Sequence, residues 1–321
     1  MKFDWSKRPV NQWRALMKRV THSSWLQSLP FAKATELCDR KRTRLAVILD
    51  QDEHGHPDEP VGFFAIQEIR LGPIHTIDLY RGPLWFEAAG TPERFAAFAQ
   101  EFAREFPRRL LRKRRWLPEW PDSDSARAVL SGAGFRSEGK SFDTLWVDLQ
   151  HPPDELRSRL DRKWRNALVK AEGADLTIVA DGVGKTVDLF LKFYDLHKRL
   201  KNFPGRDIDF IGDEIRAGLT LGDIYILWAH HELLPVAAIL IVVHGRSASY
   251  RASFSTDEGR ARNAHNLLLW RGMLMLREMG IRDFDLGGIT PGKRGFADDA
   301  GFTHFKRGLG GRPWALPGVW S

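Results

Sequence analysis

The sequence predicts an α+β protein of two tandem domains with a similar plan, each a mixed central sheet flanked by helices. Its 321 residues are about twice the usual ~150 of one domain. With 43% hydrophobic and 28% charged residues, the composition is that of a folded chain and excludes a disordered one. Both halves show the same order of elements, and Pro152-Pro153 interrupts that order. We therefore expect one domain at 1–150 and a second at 151–321.

In the first half, short apolar runs between polar turns predict strands, and helical spacing of apolar residues predicts helices. Thr91-Pro92 has the residues of a helix start, with Thr as the N-cap and Pro at the first helical position, and Pro107 ends that helix. The final strand follows Gly134-Phe135. The expected helices are 24–40, 91–107 and 122–130, and the expected strands are 45–49, 61–66, 74–79, 83–87 and 142–149.

The second half is expected to repeat this plan. Gly287-Gly288 breaks one of its strands, and residues 298–301 are expected to lead, through Gly301-Phe302, into a closing strand. The other expected helices are 153–172, 185–201 and 263–279, and the other expected strands are 176–179, 224–229, 235–243, 247–254 and 281–286.

Composition also limits the class of protein. The single cysteine, Cys38, excludes an internal disulfide framework and a four-cysteine zinc site. The longest apolar run, 233–243, is too short to cross a bilayer, and residues 1–20 lack the apolar segment of a secretory signal. We expect a cytoplasmic protein that needs no cofactor or metal.

The charge points to an anionic partner. Lys and Arg total 49 against 41 Asp and Glu, a formal net charge of +8. A phosphate-bearing substrate, RNA or an acidic membrane surface that the protein contacts peripherally would each fit, and DNA is not expected. Cations crowd residues 104–115 and residues 157–170.

The order of elements resembles the GNAT acyltransferase fold in tandem, and four places along the chain resemble one family with that arrangement. These places are Trp25-Leu-Gln-Ser28, then Asp161-Arg-Lys-Trp-Arg-Asn-Ala-Leu-Val-Lys-Ala171, then Tyr250-Arg-Ala-Ser253 with Asn266-Leu-Leu-Leu-Trp270, and last Phe284-Asp-Leu-Gly-Gly288 with Gly301-Phe-Thr-His-Phe-Lys306 and Gly310-Gly311. They are similar to conserved segments of the FemAB peptidoglycan-bridge aminoacyltransferases. The likeness covers most of 144–312.

This resemblance implies peptide-bond formation, in which an aminoacyl group on transfer RNA passes to an amine on a peptidoglycan precursor. It also implies that the functional Phe-Lys pair of the family falls on Phe305 and Lys306. Aminolysis of an ester needs a neutral amine, a held carbonyl and positive charge where the oxyanion develops. We expect Lys306 to supply that charge, rather than to be a solvated lysine on an edge strand. Loss of one such donor costs ~3 kcal/mol of transition-state stabilisation.

Other residues are expected to complete the site. Asp285 and Gly287-Gly288 lie at a strand end, either as part of the site or as an ordinary glycine turn, and the general base stays open among Asp285, water and the leaving ester. Lys163, Arg165 and Asn166 lie on a basic helix that suits phosphate, although any one of them could be an ordinary surface residue. Tyr250, Lys33 and Arg206 are further expected substrate contacts, the last two for a diphosphate.

The basic stretch 104–115, with Trp116 and Trp120 beside it, has the residues of an RNA-binding surface, with cations for phosphates and indoles for unpaired bases. The alternative is a helix end whose cations offset the helix dipole.

Two rival functions remain. An acyl-CoA-dependent GNAT enzyme holds the CoA diphosphate on a glycine-rich loop, and the matching place here is Arg260-Ala-Arg-Asn-Ala-His265, with Asn263 where a glycine is expected. The second rival is a non-catalytic basic protein associated with RNA or a membrane, which charge alone supports.

Overall fold

The computed structural model describes residues 1–50, 59–140, 142–202, 205–289 and 297–321. The chain forms two compact units. One consists of Met1–Asp143 with Trp314–Ser321, and the other of Thr144–Pro313. The sequence had suggested a boundary at 150, whereas the units divide within a strand at 143/144. The last eight residues return to the first unit because Trp320 exchanges backbone hydrogen bonds with Trp116, at 2.7 and 2.8 Å.

The first unit is built on a mixed sheet with the strand order β1-β2-β3-β4-β6, and β5 adds to β3. Neighbouring strands are antiparallel except β4 and β6, which run parallel. Its elements are β1 (Lys2–Asp4), α1 (Val10–Lys18), α2 (Leu29–Cys38), β2 (Arg42–Asp50), β3 (Glu59–Leu71), β4 (Ile74–Tyr80), β5 (Leu84–Trp85), α3 (Pro92–Glu105), β6 (Arg112–Leu117) and α4 (Asp124–Gly132).

Helix α3 follows its sequence signals closely. The Thr91 hydroxyl accepts a hydrogen bond from the Arg94 amide, which satisfies one of the free amides at the helix start. Phe95, Phe98 and Phe102 are fully buried against the sheet, as their helical spacing predicts.

The second unit is built on a larger sheet with the order β13-β7-β12-β11-β10-β9-β8. Strands β8 to β11 form an antiparallel meander, and β12 joins β11 in parallel. Its elements are β7 (Phe142–Asp148), α5 (Pro153–Arg159), α6 (Arg162–Glu172), β8 (Thr177–Asp181), α7 (Val187–Lys201), α8 (Ile208–Leu219), β9 (Ile224–His231), β10 (Leu234–His244), β11 (Ser247–Ser255), α9 (Asp257–Ala261), α10 (Ala264–Glu278), β12 (Asp283–Ile289), α11 (Ala297–Arg307) and β13 (Arg312–Leu316).

The core of the second unit forms where α6 and α10 pack on this sheet. Trp164 and Leu168 of α6 and Leu268 of α10 are among its buried residues. Strand β10 is buried on both faces from Val236 to Val243, which explains its continuous apolar run. The predicted α+β organisation with mixed sheets and flanking helices is confirmed.

Some predicted elements differ from the structure. The helix expected at 24–40 is a short 3₁₀ helix, Trp25–Gln27, followed by α2. The segment expected to enter a closing strand at 298–301 is helix α11, because Thr303 and Lys306 are buried three residues apart, which is helical spacing. The helix expected at 153–172 is two helices. Leu160 is extended between them, and the Asp161 carboxylate caps α6 by accepting a hydrogen bond from the Lys163 amide at 2.8 Å.

Candidate active site

The candidate site lies where strands β11 and β12 separate. Their parallel pairing runs from Ser247 opposite Asp283 to Ser249 opposite Asp285. Both strands continue, to Ser255 and Ile289, without a further pair between them among the described residues. The sheet therefore opens at this point, beside residues 250 and 287.

A glycine turn shapes the β12 side of this opening. Gly287 has φ +75°, a left-handed conformation that a side chain would strain. The fully buried Asp285 carboxylate holds the turn, because its Oδ1 accepts a hydrogen bond from the Gly287 amide at 2.7 Å and another from the Thr144 hydroxyl. Asp285 is thus tied to its own turn, which suits positioning better than proton abstraction.

Lys306 reaches this turn from helix α11. Its side chain is only 4% exposed, and its Nζ donates a hydrogen bond to the Gly288 carbonyl at 2.7 Å. The Nζ also lies 4.3 Å from the ring centroid of Phe302, one helical turn earlier, in a cation–π contact. A Cβ atom on Gly287 would lie 3.6 Å from this Nζ, in ordinary van der Waals contact, so the glycine turn passes directly beside the ammonium.

Burial sets the protonation behaviour of Lys306. It lowers the pKa of the ammonium from 10.5 to about 8, and the nearby Asp285 carboxylate opposes that shift. At neutral pH the group is still mainly protonated, but it gives up its proton far more readily than an exposed lysine. It can therefore both stabilise an oxyanion and protonate a leaving oxygen.

Phe305 of α11 contacts helices α6 and α10. Its half-buried ring packs on Trp164 of α6, with centroids 6.0 Å apart, and on His265 of α10, at 6.4 Å. The Asp161 amide also donates a hydrogen bond to the Gly308 carbonyl at 2.8 Å. Two segments predicted as parts of one site, 161–171 and 301–306, are thus in contact through Trp164 and Phe305.

The expected substrate residues of α6 lie on its outer side. Lys163 and Asn166 are exposed, and the half-buried Arg165 donates a long hydrogen bond of 3.4 Å to the Ser158 carbonyl. They flank the buried Trp164 and are available to an anionic ligand.

Tyr250 lines the β11 side of the opening. Its ring lies 6.4 Å from that of Phe302, and its carbonyl oxygen would lie 3.6 Å from a Cβ on Gly287. The hydroxyl shares a hydrogen bond with Ser253, and burial raises the pKa of Tyr250 to about 12. It is therefore a neutral hydroxyl at any physiological pH.

Lys33 and Arg206 are not among the residues of the contacts described above. Lys33 is exposed on α2 of the first unit, with Nζ 3.8 Å from a Glu36 carboxylate oxygen. Arg206 is exposed in the second unit, and its guanidinium lies 3.9 Å from the ring centroid of Phe210. Diphosphate contacts by these two residues remain predictions.

Two residues near Lys306 were not found from the sequence. Phe302 had been placed at the entrance to a strand, and only its i,i+4 spacing from Lys306 on a helix would have indicated the contact. Thr144 is 141 positions from Asp285, and no local pattern connects them. The sequence indicates His265 only as part of a possible CoA-binding loop, not as a neighbour of Phe305. Burial lowers its pKa to about 4, so it is neutral beside Phe305.

The RNA-binding interpretation of residues 104–115 is wrong in its details. The stretch ends in strand β6 rather than a basic helix end, and Trp116 is fully buried, with its indole NH donating to the Gly82 carbonyl at 2.7 Å. Trp120 stacks on Phe95. Arg115 is bound to Asp78, so it is not free for a ligand.

Two weaker sequence motifs do not form a site among the described residues. Val183-Gly-Lys-Thr186 is a fragment of a phosphate loop that lacks the first glycine, and the amides of Val183, Gly184 and Thr186 donate hydrogen bonds to the Asp181 carboxylate. The histidine pairs His230-His231 and His54-x-His56 lack a third ligand at a suitable spacing. No cluster of three or more His, Cys, Asp or Glu side chains suited to a metal occurs in the described part of the chain, and positions 54 and 56 fall outside it. The described helices include none long and apolar enough to span a bilayer.

Comparison with known proteins agrees with this geometry. Residues 155–307 match the acetyltransferase (GNAT) domain family. FemX has a similar structure, with a TM-score of 0.79 and 15% identity over 100% of this chain and 96% of the other. A tandem GNAT protein from the clavulanic acid biosynthesis pathway gives 0.51 and 14%, over 97% and 93%.

A third similar structure is the C-terminal domain of a protein from Agrobacterium fabrum assigned as a lysylphosphatidylglycerol synthetase, with a TM-score of 0.56 and 16% identity over 96% of this chain and 90% of the other. No curated protein sequence matches significantly. The domain match supports an acyltransferase. Residues 155–307 therefore match the GNAT acyltransferase domain family, and the chain as a whole has a tandem GNAT fold similar to that of FemX.

Proposed function

We propose that the protein transfers an aminoacyl group from transfer RNA to the amine of a phosphate-bearing acceptor, of the kind found in peptidoglycan precursors. One observation carries this proposal, the buried Lys306 ammonium held against the Gly287-Gly288 turn where β11 and β12 part. The motifs that resemble the FemAB family converge on this place, because α6 and α11 meet through Trp164 and Phe305. The FemX-like fold supports the same reading.

The proposed chemistry uses few groups. A neutral amine attacks the ester carbonyl, a C–N bond forms, and negative charge develops on the carbonyl oxygen, which the Lys306 ammonium stabilises. When the C–O bond breaks, the ribose oxygen takes a proton from Lys306, and the proton lost by the attacking nitrogen restores the ammonium. Because the pKa of Lys306 is about 8, this proton transfer is well matched to neutral pH. Lys163, Arg165 and Asn166 would hold phosphates of a substrate.

Asp285→Asn tests the link between Asp285 and Lys306. The Asp285 carboxylate holds the pKa of Lys306 up, so its removal lowers that pKa further below about 8. We expect the alkaline limb of the pH profile of kcat/KM to move to lower pH, with the enzyme still folded, because the asparagine oxygen can still accept the Gly287 amide. A general base role for Asp285 predicts instead a lower rate at every pH without a shift of that limb.

An acyl-CoA-dependent enzyme is the second candidate, and one structural observation favours it. Asn263 adopts φ +54°, so the loop keeps a left-handed conformation at the position where a glycine was expected. Against it, Asn263 stands at the N-cap of α10, where a glycine would let backbone amides approach the diphosphate. We therefore rank this donor second.

The donor is tested directly with purified protein, a nucleotide-linked muropeptide as acceptor, and either a pool of charged transfer RNA or acetyl-CoA. The proposal predicts an acceptor heavier by an aminoacyl residue with the charged RNA only. A mass gain with acetyl-CoA alone overturns the choice of donor. RNA binding without any product favours the non-catalytic alternative.

A further inference from the structure

A cluster of cations lies on one face of the first sheet, beyond the end of helix α3. Phe64 of β3 faces α3, with its ring 5.0 Å from that of Phe98, and alternation along the strand puts Glu68 and Arg70 on the same face. The residues directly opposite them on the neighbouring strands lie on this face as well. Arg42 pairs with Glu68, and His75 pairs with Arg70. A face that is apolar beneath α3 thus becomes basic where α3 ends.

Arg112 extends this cluster onto a third strand. It lies directly opposite His75 in the parallel pairing of β4 and β6, so Arg70, His75 and Arg112 stand side by side on adjacent strands, ~5 Å apart. Burial first, and then the nearby charges of Arg109 and Arg70, lower the pKa of Arg112. Such crowding of like charge is costly without an anion between the side chains.

The buried carboxylate of Glu68 is close to several of these cations. Glu68 is 5% exposed, and its oxygens lie 3.5 Å from Arg44 Nη1, 4.0 Å from Arg70 Nε and 3.3 Å from His75 Nε2. Lys7 and Arg42 form no ion pair with any residue in the described ranges. The cluster therefore holds a clear excess of positive charge.

These side chains surround an open cavity of ≈ 390 Å³, lined by Trp5, Lys7, Arg42, Arg44, Glu68 and Arg70. Arg44 stacks on Trp5, with its guanidinium carbon 4.2 Å from the ring centroid, which fixes the guanidinium at the wall. A volume of this size suits a small ligand, and Trp5 offers it a half-buried flat surface.

The cavity is separate from the predicted diphosphate contact at Lys33. Lys33 belongs to α2, which lies against the face of β2 that carries Thr43, since the Thr43 hydroxyl donates to the Ala32 carbonyl at 3.5 Å. Arg42 and Arg44 flank Thr43 along the strand and point to the opposite face.

We propose that this cavity binds a small polyanion of the diphosphate class. Arg42, Arg70 and Lys7 bind its charged oxygens, and Arg44, which is held in place by Glu68, contacts it from the cavity wall. A guanidinium binds phosphate oxygens through two parallel hydrogen bonds, and several converging forks select a ligand with several charges over a monovalent anion. The site lies wholly in the first unit and is independent of acyl transfer.

Isothermal titration calorimetry of the full chain with inorganic diphosphate tests the proposal. The variant Arg42→Gln with Arg70→Gln removes two exposed cations of the cavity. The matched control, Arg136→Gln with Arg312→Gln, removes two exposed cations elsewhere. We expect the first to weaken binding at least ~10-fold, since a charge-assisted hydrogen bond contributes ~1.5–3 kcal/mol, and the control to change it less than ~2-fold. Circular dichroism verifies that both variants are folded.

Three results would overturn the proposal. The wild-type protein could give no heat with diphosphate, or both variants could weaken binding equally, which would indicate a diffuse effect of net charge. In a parallel titration, a short RNA hairpin without terminal phosphates could bind through Arg42 and Arg70 while diphosphate does not. That last result would assign the face to an extended phosphodiester backbone. Since no arm measures acyl transfer, failure of the proposed function leaves this test intact.

Discussion

Replacing Lys306 with methionine is expected to lower kcat for acyl transfer by at least ~100-fold while the protein stays folded. Methionine keeps most of the length of the side chain but removes the charge, and loss of one oxyanion donor costs ~10²–10³ in rate. The measurement is the initial rate of product formation by the wild-type protein and the variant at saturating acceptor. Lys192→Met, at an exposed site on α7, is the control and should retain full activity.

The same variant carries a second expectation, about stability. A pKa that falls from 10.5 to about 8 means that burying the ammonium costs ~3 kcal/mol at neutral pH. Lys306→Met removes this cost and the hydrogen bond to Gly288, so we expect an unchanged or higher free energy of unfolding at pH 7. Because the folded-state pKa is the lower one, the cost is full below pH 8 and declines as the pH rises towards 10.5.

Urea denaturation at pH 7 and at pH 9.5 measures this difference. The wild-type protein should gain stability relative to Lys306→Met at the higher pH. A variant that is strongly destabilised at pH 7 would indicate that Lys306 is a structural residue. Wild-type turnover in the variant would remove Lys306 from the chemistry.

Gly310→Ala is expected to be the most destabilising of the small substitutions considered, by at least ~2 kcal/mol. Gly310 has φ +74°, where an L-residue costs ~1–2 kcal/mol. Its new Cβ would also lie 2.5 Å from the Arg159 carbonyl oxygen, a backbone atom that cannot move without shifting the α5–α6 junction. Thermal unfolding should show a midpoint lower by about 5 °C or more.

Gly301→Ala provides the matched control on the same segment. Gly301 lies within helix α11, its φ is not positive, and a Cβ there meets no atom of the described residues within 4 Å. Alanine in a helix interior is favoured over glycine by ~1 kcal/mol, so this variant should melt at or above the wild-type temperature. If both alanines lower the midpoint equally, the close approach of Gly310 to Arg159 does not constrain the fold.

Strong local signals allowed most of the fold to be predicted. The N-cap Thr91 and the phenylalanine spacing of α3, and the continuous apolar run of β10, specify those elements without tertiary information. The α11 segment was less predictable. Its glycine and short apolar pattern fit a strand as well as a helix, and only the packing of Thr303 and Lys306 against the sheet decides between them.

The site was predicted in part for the same reason. Resemblance singled out Lys306 and Gly287-Gly288, and the structure brings them together. The residues that contact this site come from distant segments of the chain. Thr144, for example, donates a hydrogen bond to Asp285, and sequence spacing cannot reveal such a contact. The basic stretch at 104–115 shows the reverse. Its cations are consecutive along the chain, but once β6 forms Arg114 is buried, Arg115 pairs with Asp78, and Arg112 lies opposite His75.

A structure with a non-hydrolysable aminoacyl-RNA analogue bound would test the central claim most directly. We predict that the acyl carbonyl oxygen of the analogue lies within hydrogen-bonding distance of Lys306 Nζ, beside the Gly287-Gly288 turn. An analogue whose acyl group is seated away from the β11–β12 opening, with Lys306 still bound to the Gly288 carbonyl, would contradict it.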